Sequence, residues 1–120
     1  MAVQRFEGLV VWKKAKDLSA KIYRRTEGGR FARDFPLRDQ LRRAAVSVMS
    51  NVAEGFERYS RAEFRHFLSI ARGSASEVRS QLHLAHELGY LSDREHQELH
   101  DECLAISRLL GALRSSISPP

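Results

Sequence analysis

The sequence predicts an all-α fold, an antiparallel up-down-up-down four-helix bundle forming a single domain over residues 1–120. Three observations predict it. Apolar residues recur every three or four positions through four segments, near residues 8–27, 36–58, 61–88 and 93–117. Glycine, proline and capping residues punctuate the breaks, and no β-type alternation survives between them. The connections are short, so consecutive helices are expected to be antiparallel neighbours.

The first segment carries Leu9, Trp12, Ala15, Ser19, Ile22 and Thr26 as one stripe toward a core, and Gly28-Gly29 stops it. The link from Gly28 to Asp34 is the expected flexible loop. The second segment opens at Phe35-Pro36, where proline suits a first helical turn, and continues through Leu37, Leu41, Ala44, Ala45, Val48, Val52 and Phe56. Ser60-Arg61-Ala62-Glu63 fits a capping box and starts the third, whose apolar positions are Phe64, Phe67, Leu68, Ala71, Ala75, Val78, Leu82, Ala85 and Leu88. Gly89 closes it. A second capping box, Ser92-Asp93-Arg94-Glu95, launches a heptad stripe of Leu99, Cys103, Ile106, Leu110, Leu113 and Ile117, which Ser118-Pro119-Pro120 terminates.

Composition narrows the class. A hydrophobic fraction of 42%, with seven glycines and three prolines in 120 residues, is that of a globular chain. A lone Cys103 forms no internal disulfide and points to a reducing compartment. No apolar run approaches the roughly 20 residues of a membrane span, and Met1 to Gly8 lacks the pattern of a signal peptide. A cytoplasmic protein with no membrane partner is expected.

The second segment is unusual. From Ala44 to Gly55 it is crowded with small residues and carries Ser47, Ser50, Asn51 and Glu54, and the third segment answers with Gly73, Ser74, Ala75, Ser76 and then Glu77. A close helix crossing, with serines bonded to their own backbone carbonyls, accounts for the pattern. A sharper expectation pairs Glu54 or Glu77 with Arg42 or Arg43 inside the bundle or at a subunit interface, because buried charge needs a partner.

The net charge of +5 is uneven: residues 1–60 hold 13 Lys/Arg against 7 Asp/Glu, whereas residues 61–120 hold 7 against 8. All four lysines, Lys13, Lys14, Lys16 and Lys21, lie in the first segment, with Arg24 and Arg25 following. Lys13, Lys14, Lys21, Arg24 and Arg25 fall broadly opposite the apolar stripe, and Arg38 and Arg42 extend the basic surface into the second segment. Such a face suits phosphates without reading sequence, so nucleic acid, with RNA favoured, is a candidate partner. Solubility alone is the competing account, and no aromatic residues are interleaved on this segment for base stacking. A protein–protein scaffold is the alternative function.

Chemistry is poorly provided for. Carboxylate-bridged metal pairs in bundles use two Glu-x-x-His motifs and two further glutamates, and only Glu63-Phe64-Arg65-His66 matches. His83 with His86, and His96 with His100, are spaced to share helix faces, but no further ligand set accompanies either pair. Cys103 lies on a core stripe, as a small hydrophobe does. With no glycine-rich phosphate loop or nucleophile elbow, the expectation is a non-enzyme without metal or cofactor.

Phe6-Glu7-Gly8-Leu9-Val10-Val11-Trp12, Gln40-Leu41-Arg42-Arg43-Ala44-Ala45-Val46-Ser47, Ser50-Asn51-Val52-Ala53-Glu54-Gly55-Phe56, Phe67-Leu68-Ser69-Ile70-Ala71-Arg72-Gly73-Ser74-Ala75-Ser76-Glu77 and Leu88-Gly89-Tyr90-Leu91 together resemble the 23S rRNA intervening-sequence protein family, the S23-like four-helix bundle proteins. The resemblance covers about residues 6–113. It implies a bundle that assembles as a homopentamer, and some relatives are encoded in insertions within bacterial 23S rRNA genes. A more distant relative, the accessory variability protein of diversity-generating retroelements, is a basic pentamer that contacts a reverse transcriptase and nucleic acid. Met49 stands where the family often has proline, so no proline kink is implied here. The family brings no catalytic residues to carry over.

Overall fold

A computed structural model describes residues 3–117, and among them every regular element is helical. A 3-10 turn, Phe6–Gly8, leads into α1 (Val10–Arg25), and a short α2 (Gly29–Arg33) precedes three long helices, α3 (Phe35–Phe56), α4 (Arg61–Glu87) and α5 (Asp93–Ser116). The main contacts run from α1 to α3, α3 to α4, α4 to α5 and α5 back to α1, so the long helices close around one core. The body measures 46 × 22 × 20 Å. Its length is set by α4, whose 27 residues rise by about 40 Å at 1.5 Å each. The Ser118-Pro119-Pro120 terminator lies outside the described residues.

The core is a single cluster in which Leu18, Ile22, Leu41, Leu68, Leu82, Leu99, Ile106 and Leu110 are fully buried. The sequence stripe of α1 is rotated slightly: Val11 and Leu18 are buried together with Ala15, Ser19, Ile22 and Thr26, while Leu9 and Trp12 only pack against the core edge. The 3-10 turn explains the difference. It delays the helix start to Val10, and Trp12 instead meets the ring of Phe6 edge-on at 5.1 Å. At the far end of the third stripe Leu88 is exposed, because α4 has ended and Gly89 turns the chain at φ 77°.

The expected flexible loop between Gly28 and Asp34 is instead a turn of helix docked on the bundle. Phe31 is buried and stacks on Tyr90 at 5.0 Å, and Tyr90 donates a 2.9 Å hydrogen bond to Asp34. Asp34 also caps α3, accepting from the Leu37 amide at 3.2 Å. One aromatic side chain in the link was enough to fix it. The two expected capping boxes differ. Ser92 and Glu95 make both reciprocal bonds, at 3.1 and 2.8 Å. Ser60 accepts from the Glu63 amide, but the Glu63 carboxylate turns to Arg58 at 3.5 Å, leaving that box half-formed.

Close packing of α3 against α4 is realised at Gly55. A β-carbon there would stand 2.6 Å from Cβ of Phe67, a distance that real contacts do not show. One turn-pair away, Ser47 Oγ lies 2.9 Å from Ser74 Oγ, so this serine bonds across the interface rather than to its own helix. Asn51 completes the contact by donating to the Ser47 carbonyl at 2.8 Å and to Ser47 Oγ at 3.0 Å. The α3 helix passes Met49 without interruption, as the missing proline implied. Gly55→Ala is expected to cost about 1–3 kcal/mol through overpacking, read as a lower urea midpoint at unchanged slope; wild-type stability would show that the crossing is not tight.

Candidate nucleic-acid interface

The basic residues of α1 divide into two groups. Lys21 sits over α5, donating to Glu102 at 2.8 Å and to Glu98 at 3.3 Å, and the bond to Glu102 holds its ammonium above the usual lysine value. Arg25 reaches Glu95 at 2.8 Å. These two are therefore paired with the acidic side of α5, although both stay partly exposed. Lys13, Lys14, Lys16 and Arg24 are exposed and join no ion pair among the described residues. The free cationic face of α1 is thus narrower than its sequence pattern, because the helix lies between α3 and α5 and its flank toward α5 meets carboxylates.

The second-segment arginines are mostly occupied. Arg42 donates from Nε to Thr26 Oγ1 at 2.8 Å and from Nη2 to the carbonyls of Thr26 and Tyr23 at 3.3 and 3.4 Å. Its guanidinium lies 4.4 Å from the centroid of the Tyr23 ring. It closes the C-terminal end of α1, where unpaired carbonyls and the helix dipole favour a cation. Arg38 bonds the Ala32 carbonyl and Asp39, both at 2.9 Å, and covers the exposed Phe35 ring. Arg43 stays exposed. Tyr23, Asp39, Arg42, Arg43 and Val46 line an open groove of about 370 Å³. Aromatic rings therefore do stand among the arginines. Trp12 and Tyr23 already stand beside cations within α1, where Lys16 lies 5.5 Å from the Trp12 centroid, and the guanidinium over Tyr23 is added from α3.

Two further arginines that the sequence did not single out do related work. Arg30 donates to the carbonyls of Leu88 and Gly89 at the end of α4, at 3.2 and 3.4 Å. Arg65 donates to those of Arg114 and Ile117 at the end of α5, both at 2.7 Å. Nothing local marks either residue, since each partner lies about fifty residues away along the chain.

The expected pairing of Glu54 or Glu77 with Arg42 or Arg43 is not made within the chain. Glu54 bonds Arg58 one turn along the same helix at 2.8 Å, Glu77 is exposed, and Arg42 is turned to Thr26. The small residues bring the helices close enough at Gly55 and Ser47 that no room remains there for a buried ion pair.

The histidines converge more than their spacing suggested. His83 and His86 from α4 meet His96 and His100 from α5, with ring centroids 4.5 to 5.7 Å apart, and His86 contacts Asp93 at 2.6 Å. As the side chains stand, no three His, Cys, Asp or Glu groups among the described residues form a metal site. Nε2 of His96 is buried without a partner. Burial, then the neighbouring His86, His83 and His100, push the His96 pKa below its ordinary value, against the opposing pull of Asp93. Cys103 is buried in the core, and burial raises its thiol to about 12, so it is a protonated packing group at neutral pH.

A family model described as 23S rRNA-intervening sequence protein matches residues 7–112. The chain belongs to that family. No curated protein matches it. Among solved structures it is similar to a protein of unknown function of the S23 ribosomal protein family from Bacteroides thetaiotaomicron, with a TM-score of 0.82, 23% identity, and coverage of 88% of this chain and 96% of that one. That likeness establishes the fold of this intervening-sequence protein. The family description names no enzymatic activity. No helix among the described residues is long and apolar enough to cross a membrane.

The histidine cluster sets a pH dependence. Unfolded, His96 takes up its proton near the ordinary value of about 6.5; folded, it does so only at lower pH. The unfolded state then binds more protons as pH falls through that window, so stability decreases from pH ~6.5 downward toward the folded pKa. The melting temperature is expected to fall more between pH ~7.5 and ~5.5 in the wild type than in His96→Gln. Parallel profiles would exclude His96 as the cause.

Proposed function

We propose that this is a non-enzymatic, cytoplasmic helical protein that binds nucleic acid electrostatically, with RNA favoured, through Lys13, Lys14 and Arg24 and the exposed Arg43 edge of α3. The observation that carries the reading is that these cations face solvent and join no ion pair among the described residues, whereas Lys21 and Arg25 are matched by acids. Cations without internal partners attract phosphates and release their counterions, a contribution that needs no sequence-specific contact. Arg42, engaged at the end of α1, keeps guanidinium N–H groups beyond the three bonds it makes and adds to the same edge.

The reading includes an up-down-up-down course and a homopentamer. The course is supported by which ends meet: the end of α1 lies beside the start of α5 at Arg25–Glu95, and the start of α4 beside the end of α5 at Arg65–Ile117. Self-assembly is what the family resemblance implies, and it is supported by an apolar groove of about 310 Å³ lined by Leu9, Val10, Val11, Leu109, Ala112 and Leu113, with Val10 exposed. A second copy of the chain is its proposed occupant, and repetition of a weak basic face around a ring would multiply phosphate contacts. The same exposed apolar residues favour the alternative, a protein–protein scaffold, which a pull-down that survives nuclease treatment would support.

Wild type is expected to retain structured RNA at about 50 mM salt and lose it steeply by about 200 mM. Charge reversal of Lys13, Lys14 and Arg24 together should weaken binding at least about tenfold and flatten the salt slope by about one unit per contact removed. Lys21→Glu, whose partners are internal, should lower the melting temperature with far less effect on binding. Negligible binding by wild type at low salt would end the nucleic-acid reading. For assembly, light scattering should report a multimer that Val10→Asp shifts toward the monomer mass; a monomeric wild type would refute it.

A further inference from the structure

We propose that the groove lined by Tyr23, Asp39, Arg42, Arg43 and Val46 seats one unpaired nucleobase of single-stranded RNA, favouring a base with an exocyclic amino group such as cytosine. The proposal rests on the nucleic-acid reading above and gives that surface a contact beyond charge.

The groove has the parts that such a seat requires. Tyr23 presents an exposed ring, 41% accessible, one turn from the buried Ser19 and beside the buried Ile22. The Arg42 guanidinium lies 4.4 Å from that ring centroid and is held there by hydrogen bonds to Thr26 Oγ1 and to the Thr26 and Tyr23 carbonyls. Thr26 is itself fully buried, so the arginine is anchored in the body of the protein. The guanidinium lies over one face of the phenol ring, so the ring holds it flat as a pre-organised surface, and every nucleobase has a π-face to lay on a guanidinium plane or on an aromatic ring. The groove volume of about 370 Å³ falls at the lower end of the range typical of small-molecule pockets.

The remaining groups decide what kind of base fits. Arg43 is exposed at the edge, placed for the phosphate of the same nucleotide. Asp39 is an acid within a basic surface and would repel a bare phosphate backbone. Arg38 takes its Oδ1 at 2.9 Å, leaving the other carboxylate oxygen to accept from a base. A carboxylate accepts from the N4 amino group of cytosine, whereas uracil presents a carbonyl oxygen at that position. In a duplex this edge is paired, so the seat selects single strands.

Labelled oligo(C), oligo(U) and duplex RNA, titrated by fluorescence anisotropy against the whole chain, test the proposal. Tyr23→Ala is expected to weaken oligo(C) binding roughly fivefold to hundredfold while duplex binding changes less than about twofold. Tyr23→Phe, which keeps the ring, should bind as wild type does. Asp39→Asn should erase the preference for oligo(C) over oligo(U). Circular dichroism guards against a folding defect, which the exposure of both side chains makes a small concern. If wild type binds RNA but Tyr23→Ala weakens single strand and duplex alike, or neither, the base seat is wrong and electrostatic binding stands. If wild type binds none of the three RNAs, the underlying reading fails and the seat with it.

Discussion

Arginine contacts with the carbonyls at helix ends are the interaction on which this bundle depends. A helix leaves its last carbonyls unpaired, and a backbone cap such as the Gly89 turn, where the Tyr90 amide donates to the Ala85 carbonyl at 2.9 Å, satisfies only some of them. Here the partners arrive from other helices: Arg42 at the end of α1, Arg38 at α2, Arg30 at α4 and Arg65 at α5. The planar guanidinium suits this work because it is always charged, offers several donors in a fixed fork and complements the negative end of the dipole. Lysine, a point charge on a flexible stem, does not reproduce it. Packing of the leucines and isoleucines supplies the driving force; the arginines satisfy carbonyls at the ends of α1, α2, α4 and α5.

That division of labour changes how the charge of the chain is understood. A net charge of +5 suggests a broad basic surface, yet six of the twenty Lys and Arg side chains are committed to structure. Lys21 and Arg25 bridge α1 to α5, and four arginines close helix ends. On α1 and the adjoining edge of α3 the exposed cations without an ion pair are Lys13, Lys14, Lys16, Arg24 and Arg43, while Arg33, Arg61, Arg72, Arg94 and Arg108 are exposed elsewhere on the body. The narrowing matters for specificity, because a few fixed cations around a ring and a groove define a place, whereas a diffuse field defines only an attraction.

The four long helices were legible in the sequence because their signals are local. Periodicity places Leu68, Ala71, Ala75, Val78 and Leu82 on one face, and Ser92 with Glu95 announces a start within four residues. The small-residue stretch around Gly55 and Ser47 likewise marked a close crossing. What sequence left hidden was set by tertiary contact. The link from Gly28 to Asp34 has the composition of a loop, and it becomes helix because Phe31 finds Tyr90 across the fold. Tyr23 has Lys21, Arg24 and Arg25 beside it in sequence, but the guanidinium over its ring is that of Arg42, which comes from α3. The four histidines form two separate pairs in the chain and one cluster in space.

The helix-end arginines also bear on how the chain folds. The residue that completes α4 lies 58 positions before the end it closes, and the one that completes α5 lies 49 positions before. The ends of α4 and α5 therefore draw part of their hydrogen bonding from groups that neither helix carries itself. Those carbonyls stay unsatisfied by protein until the neighbouring helix is in place, and the loss of that neighbour releases them. Secondary structure and tertiary structure are acquired together, which makes the chain a single cooperative unit rather than four helices that associate.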